Sequence, residues 1–192
     1  MFQKRTKVLI MKRIIPYLSI LLVAIMAQSC SPDLRPFTHN ILQEGGWGDS
    51  DLKKIQFYLS DDVVIRRNLT EGSSEITSGT IKIVKGEKVE EVRIKRGTPG
   101  VFLFRAKEDN FAIGFDGLSD KRFLMFGANP KQRGTYVLLA SEWKDRQGKV
   151  RYDDKFYFTD EGGAWANLLV DLKKVRKIEV SSSTARGRKV DN

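Results

Sequence analysis

The fold class follows from residues 80–115, which read TIKIVKGEKVEEVRIKRGTPGVFLFRAKEDNFAIGF. Apolar and polar side chains alternate with a period of two in residues 80–84 and again in residues 89–94. This alternation is typical of a strand with one dry face and one wet face. Residues 85–88 and 96–100 contain the glycine, proline and charged residues of turns, so the stretch predicts consecutive antiparallel strands.

The same patterning continues on both sides of this stretch. Further apolar or alternating runs occupy residues 55–59, 63–65, 122–126, 135–143, 149–154 and 155–159. They recur at spacings of about 8–14 residues with turn-forming residues between them, as in a small all-β domain. We therefore predict about ten short strands in a single antiparallel β-barrel or β-sandwich.

Residues 164–175 are compatible with two secondary structures. Trp165, Leu168 and Leu172 have the spacing of an apolar helix face, whereas Leu168, Val170 and Leu172 alternate as in a strand. Because the rest of the domain has the pattern of strands, we favour a strand here. One short helix near the C-terminus is the alternative.

The first 29 residues have the three parts of a secretory signal peptide. Residues 1–13 contain five basic side chains and no acidic one, and residues 14–27 form a largely apolar run that ends just before Gln28-Ser29-Cys30. This run is shorter than the ~20 residues that a helix needs to span a bilayer. Met11 begins an equally good signal, so residues 1–10 can be a mis-assigned start.

Ala27-Gln28-Ser29-Cys30 resembles the lipobox of bacterial lipoproteins, and Cys30 is the one cysteine in the chain. The resemblance implies that the signal is removed and that Cys30 becomes the acylated first residue, anchored in a lipid bilayer. Two or more acyl chains hold a protein stably on a membrane, whereas one chain holds it only marginally. By the same resemblance, Ser31 in place of Asp implies delivery to the outer membrane, facing the periplasm or the cell surface.

The charge of the chain is concentrated at its two ends. Lys and Arg number 34 against 24 Asp and Glu, but five of the basic residues lie in residues 1–29 and seven lie in residues 171–192. The body between these ends is close to neutral, so the sequence predicts no nucleic-acid-binding surface. We expect residues 181–192 to form a basic, disordered tail.

Residues 30–50 are rich in proline and glycine and predict a lipidated, flexible tether ahead of an all-β domain at residues 51–180. Within this segment, Gly45-Gly46-Trp47 resembles the Gly-x-Trp signature of lipocalins. That resemblance implies an eight-stranded barrel around one apolar ligand. A lipocalin-like carrier is therefore our alternative function.

Patterns that carry catalysis or bind metals are sparse. Nucleophilic catalysis needs a base beside Ser, Thr or Cys, but the one histidine, His39, lies in the predicted tether and Cys30 is expected to be acylated. The paired aspartates at residues 61–62 and 153–154 do not form a matched acid and base, since neighbours on a strand face opposite ways, and both pairs fit hairpin turns. We therefore predict that the protein is not an enzyme and uses no cofactor and no metal.

Aromatic and basic side chains in the second half of the domain are the remaining candidates for binding. Aromatic residues give wide contact area with little loss of conformational entropy, and cations attract acidic polymers or anionic lipid. The candidate contact residues are Trp143, Tyr152, Trp165, Lys173, Lys174 and Lys177. We expect a membrane-anchored, non-enzymatic envelope lipoprotein that binds an envelope protein or a surface polysaccharide.

Overall fold

The computed structural model describes residues 32–69, 79–84, 86–107 and 109–183, and for residues 179–183 it describes the backbone alone. Cys30, the predicted signal peptide and most of the predicted basic tail lie outside these residues. In the described part, thirteen strands form two antiparallel sheets. The seven-stranded sheet has the order β1 (Leu34–Pro36), β13 (Leu168–Asp171), β2 (Gln56–Leu59), β6 (Pro99–Lys107), β7 (Asn110–Gly114), β8 (Phe123–Asn129), β9 (Thr135–Leu138). The six-stranded sheet has the order β10 (Glu142–Lys144), β11 (Gln147–Tyr152), β12 (Lys155–Thr159), β3 (Val63–Asn68), β5 (Glu87–Ile94), β4 (Thr80–Val84).

The architecture is an all-β sandwich, which confirms the predicted fold class and decides between its two forms. The seven-stranded sheet curls until β9 approaches its other edge, where Tyr136 N donates to Phe37 O over 3.0 Å and Leu138 N donates to Ala166 O over 2.9 Å. Between β9 and this edge, the described residues form only isolated β-bridges, at Thr38 and at Val137. The sheet therefore stays open and does not form a closed barrel.

Large aromatic side chains fill the interior. The rings of Phe111 and Tyr136 stack with centroids 4.7 Å apart, and Phe37 meets Phe57 edge to face at 5.2 Å. Other fully buried side chains include Phe126, Tyr157, Leu52, Leu59, Ile65, Ile113 and Leu124. The buried core is thus packed with side chains contributed by both sheets.

Tight turns connect several of the strands as the sequence predicts. Asp153 and Asp154 form the two-residue loop of the β11–β12 hairpin and both have positive φ, 50° and 61°. Residues 61–62 instead connect β2 in one sheet to β3 in the other, so their assignment to a hairpin turn is wrong. In the turn before β6, Gly97 supplies the positive φ of 76°, and Gly100 lies within the strand.

The predicted tether is wrong from Leu34 onward. Leu34–Pro36 pairs with β13, and two helices follow, α1 (His39–Gly45) and α2 (Asp49–Leu52). The Thr38 side chain accepts from Ile41 N and caps α1, and Phe37 is completely buried. Proline and glycine lie here at the ends of short helices and strands and do not form a flexible segment. The folded domain therefore begins about 17 residues earlier than predicted.

Residues 164–175 contain both of the structures that their pattern allows. Trp165 ends a 3₁₀ turn (Glu161–Trp165), β13 follows, and α3 (Leu172–Ser183) begins directly after the strand. Asp171 accepts from Lys173 N over 3.1 Å, which caps the new helix. The favoured strand and the alternative short helix are therefore consecutive, and the change occurs at Asp171.

Candidate functional site

Tyr152 is buried in the core, so its predicted role as a surface contact is wrong. It is 2 % exposed on the inward face of β11, and its ring meets Tyr157 edge to face with centroids 6.1 Å apart. Burial raises the pKa of Tyr152 to about 12. This side chain contributes to packing between the sheets.

Trp143 and Trp165 are exposed but lie on different elements. Trp143 lies on the edge strand β10 directly opposite Gly148, and 41 % of its surface is accessible. A methyl group at Gly148 would come within 2.8 Å of the indole, so glycine is what lets the ring lie over β11. Trp165 is 61 % exposed at the end of the 3₁₀ turn.

Two further aromatic residues, Phe156 and Phe158, project from the outer face of the six-stranded sheet. They are 59 % and 51 % exposed on β12. Their cross-strand partners are Arg151 opposite Phe156, and Lys149 and Arg66 on either side of Phe158. Directly opposed residues share a face of an antiparallel pair. We call these five residues the aromatic–cationic face.

Specific contacts hold the cations of the aromatic–cationic face in place. Lys149 Nζ lies 4.7 Å from the centroid of the Phe156 ring, within the range of a cation–π interaction. The Arg66 guanidinium donates to a Glu91 carboxylate oxygen over 2.7 Å, and that of Arg151 donates to Asp154 over 2.7 Å. Positive charge and aromatic surface therefore alternate across three strands.

Phe156 separates two open grooves beside this face. One groove, of about 460 Å³, is lined by Arg67, Asn68, Lys155, Phe156 and Phe158. The other, of about 280 Å³, has a more apolar lining that includes Met125, Leu139, Ala140, Lys149, Val150, Arg151 and Phe156. An extended molecule that crosses β12 would contact the Phe156 ring from either side.

The sequence could not show which aromatic residues of β12 face outward. Period-two alternation places Phe156 and Phe158 on one side and Tyr157 on the other, and either side is apolar enough to be the buried one. The strand pairing decides the question, because Lys149 and Arg151 stand opposite the two phenylalanines. Tyr157 consequently faces the core and is completely buried.

Two groups of charged side chains, on opposite faces of β5, link this strand to β3 and β4. Glu90 is completely buried, and Arg67 Nε donates to its carboxylate over 2.6 Å. Glu91 accepts from Lys82 Nζ over 2.6 Å and from Arg66 over 2.7 Å. The hydrogen bond from Lys82, followed by that from Arg66, holds the pKa of Glu91 below its ordinary value. The contacts of Glu91 tie Arg66 of the aromatic–cationic face to the fold.

The predicted lysine contacts Lys173, Lys174 and Lys177 all lie exposed on α3. Their arrangement follows from the packing of the helix, because Val175 is 3 % exposed in the core and Leu172 and Ile178 pack against it at the same spacing. Arg176 is exposed as well. These four cations, which we call the basic face of α3, cover the first two turns of the helix.

His39 begins α1 and belongs to the folded domain, contrary to its predicted place in a tether. Its Nδ1 lies 3.2 Å from Asp109 Oδ1, and its Nε2 lies 2.6 Å from Gln43 Nε2. An adjacent groove of about 450 Å³ is lined by His39, Asn40, Asp109, Ala128, Pro130, Arg133 and Gly134. Among the described residues that line this groove there is no serine, threonine or cysteine.

Neither a metal-binding cluster nor a membrane-spanning helix occurs among the described residues. These residues contain no group of three His, Cys, Asp or Glu side chains that could hold a metal ion. None of their helices is long and apolar enough to cross a membrane. The chain matches no protein-family model, no curated protein and no solved structure.

Proposed function

We propose that this protein is a lipid-anchored lipoprotein of the outer membrane that binds an acidic polysaccharide of the cell envelope through its aromatic–cationic face. The lipid anchor rests on the lipobox-like Ala27-Gln28-Ser29-Cys30. The binding function rests on one observation, the exposure of Phe156 and Phe158 directly opposite Lys149, Arg151 and Arg66.

The chemistry of this face matches an acidic sugar chain. The C–H surface of a sugar ring stacks on an aromatic side chain, which loses little conformational entropy when it binds. Carboxylates or phosphates on the chain would pair with the flanking cations, and Arg can do so in a bidentate manner. Neighbouring strands are ~4.8 Å apart, so successive sugar rings could follow the row from Arg66 through Phe158 to Lys149.

The packed interior is an argument against the carrier alternative. A carrier of the lipocalin type needs an apolar cavity of several hundred Å³ within the barrel. Here Phe37, Phe111 and Tyr136 occupy the middle of the curled sheet. Trp47, the tryptophan of the lipocalin-like signature, lies between two helices and is 5 % exposed in the core.

The experiment measures binding of immobilised polygalacturonate, with neutral dextran as the matched polymer, by surface plasmon resonance. The mature chain should bind the acidic polymer and not dextran. Because both stacking and charge contribute, Phe156→Ser/Phe158→Ser should weaken binding about tenfold or more, and raising the salt to ~1 M should weaken it further.

Leu118→Ser is the matched control, because Leu118 is 80 % exposed in the β7–β8 connection and lines neither this face nor the two grooves beside it. It should bind like the unmodified chain. Equal affinity for dextran, or equal binding by the Leu118 and Phe156/Phe158 variants, would refute the proposed face. If Phe156→Ser/Phe158→Ser loses binding and also has a lowered unfolding midpoint, Phe156→Tyr is measured as well. This variant keeps the aromatic ring and should keep binding.

A further inference from the structure

The strand pairing brings the N-terminal end of the folded domain next to the basic face of α3. Leu34, the first residue of β1, stands directly opposite Asp171, the last residue of β13. Helix α3 begins at the next residue, Leu172. The chain that leads from Cys30 and the helix that carries Lys173, Lys174, Arg176 and Lys177 therefore meet at one corner of the seven-stranded sheet.

The length of chain between Cys30 and this corner is short. Four residue steps separate Cys30 from Leu34, and a fully extended chain spans at most about 3.6 Å per step, or about 14 Å in all. The acylation of Cys30 is the part of the proposed function on which this step rests. With Cys30 in the bilayer interface, the corner of the domain must lie within about 14 Å of the lipid surface.

The basic face of α3 is suited to an anionic lipid surface at that distance. Val175 is buried and fixes the helix on the domain, so its exposed cations cannot turn inward. Lys177, the last of these cations, lies only about 8 Å along the helix axis beyond Leu172. A Lys or Arg that comes within a Debye length, about 8 Å, of an anionic membrane is attracted to it. A lipid chain together with a basic patch is enough to hold a protein stably on a membrane.

We infer that α3 docks by its basic face on the anionic lipid to which Cys30 is anchored, and so fixes the orientation of the domain on the membrane. Beside α3, the charges of Arg35 and Asp33 offset each other, since their side chains pair over 2.9 Å. At the nearby start of β2, Lys54 pairs with Asp51 over 3.1 Å. Asp171 is buried and bonds to the backbone of the helix. The outward charge at this corner is therefore dominated by the cations of α3.

The test uses the acylated mature chain, with acylation verified by intact mass, in vesicles of phosphatidylcholine with or without phosphatidylglycerol. Hydrogen exchange of the backbone amides of residues 172–178 is followed by mass spectrometry. These amides should exchange about fivefold more slowly on the anionic vesicles at low salt, and the difference should disappear at ~1 M salt.

Two triple variants each remove three positive charges, one from α3 and the other from connections at the opposite end of the sheet. Lys173→Gln/Lys174→Gln/Lys177→Gln should abolish the difference between the vesicles. The control Lys95→Gln/Arg96→Gln/Lys121→Gln should retain it, because these residues lie in connections toward the other end of the sheet, where Gly97 N donates to Leu59 O beside Leu168. Equal exchange on both vesicles by an acylated chain would refute the docking and leave the anchor intact. A mass without acyl groups would refute the anchor itself.

Discussion

Gly45, Gly46 and Trp47 have a structural role that explains them without a ligand. Gly46 ends α1 with φ of 59°, and its N–H donates to Leu42 O and Gln43 O. The bare Cα of Gly45 allows the indole of Trp47 to pack against the helix end, where a methyl group would overlap the ring. The lipocalin-like triplet thus closes one helix and places a tryptophan in the core.

Three alanine variants test this role. Gly46→Ala should lower the free energy of unfolding by about 1 kcal/mol because of its positive φ, and Gly45→Ala by about 1–3 kcal/mol because the methyl group displaces Trp47. The matched control Gly48→Ala has open space at its Cβ and should change stability by less than about 0.5 kcal/mol. Urea unfolding followed by tryptophan fluorescence measures all three. A Gly45→Ala variant as stable as Gly48→Ala would contradict this packing.

At the scale of elements, the sequence predicts strands well where one face is wet and the other is dry. The run at 80–115 and the pairing of β6 with β7 follow from alternation and turn residues alone. Residues 34–52 could not be predicted in this way, because their elements are only three to seven residues long and are stabilised by tertiary contacts of Phe37, Leu42 and Trp47. The outward orientation of Phe156 depends on strand pairing, which alternation does not encode.

The ion network of Glu91 across β3, β5 and β4 should make stability depend on acid pH. The pKa of Glu91 is lowered from its ordinary value of 4.5 in the folded chain, chiefly by the hydrogen bond from Lys82. The folded state therefore binds this proton more weakly than the unfolded chain. Glu91 contributes its full stabilisation above about pH 5, and this is lost as the pH falls through the folded value.

Glu91→Gln removes this titration and should flatten the fall in the free energy of unfolding between pH 6 and pH 3, relative to the unmodified chain. Lys82→Met removes the main donor and should flatten it in the same direction, though less, because Arg66 still donates to Glu91. Urea unfolding at each pH provides the measurement. Parallel pH curves for the Glu91 variant and the unmodified chain would show that the network does not stabilise the folded state in this way.

At the scale of the whole molecule, side chains fill the interior, so both proposed binding sites lie on the surface. The aromatic–cationic face lies on the six-stranded sheet, and the basic face of α3 begins at a corner of the seven-stranded sheet. The sequence indicates the lysines of α3 as contacts, but their nearness to the start of β1 depends on the register between Leu34 and Asp171. We therefore propose a lipid anchor, a lipid-facing helix and a separate surface for an acidic polymer.

The proposed location of this protein at a membrane depends on the acylation of Cys30. Intact-mass spectrometry of the protein purified from native membranes, together with fractionation of Cys30→Ser, tests it. We expect a mature chain that begins at Cys30 and carries acyl groups, and a Cys30→Ser chain that lacks acyl groups and is no longer recovered as an integral membrane protein. A membrane-bound Cys30→Ser chain, with no acyl mass on the unmodified protein, would contradict it.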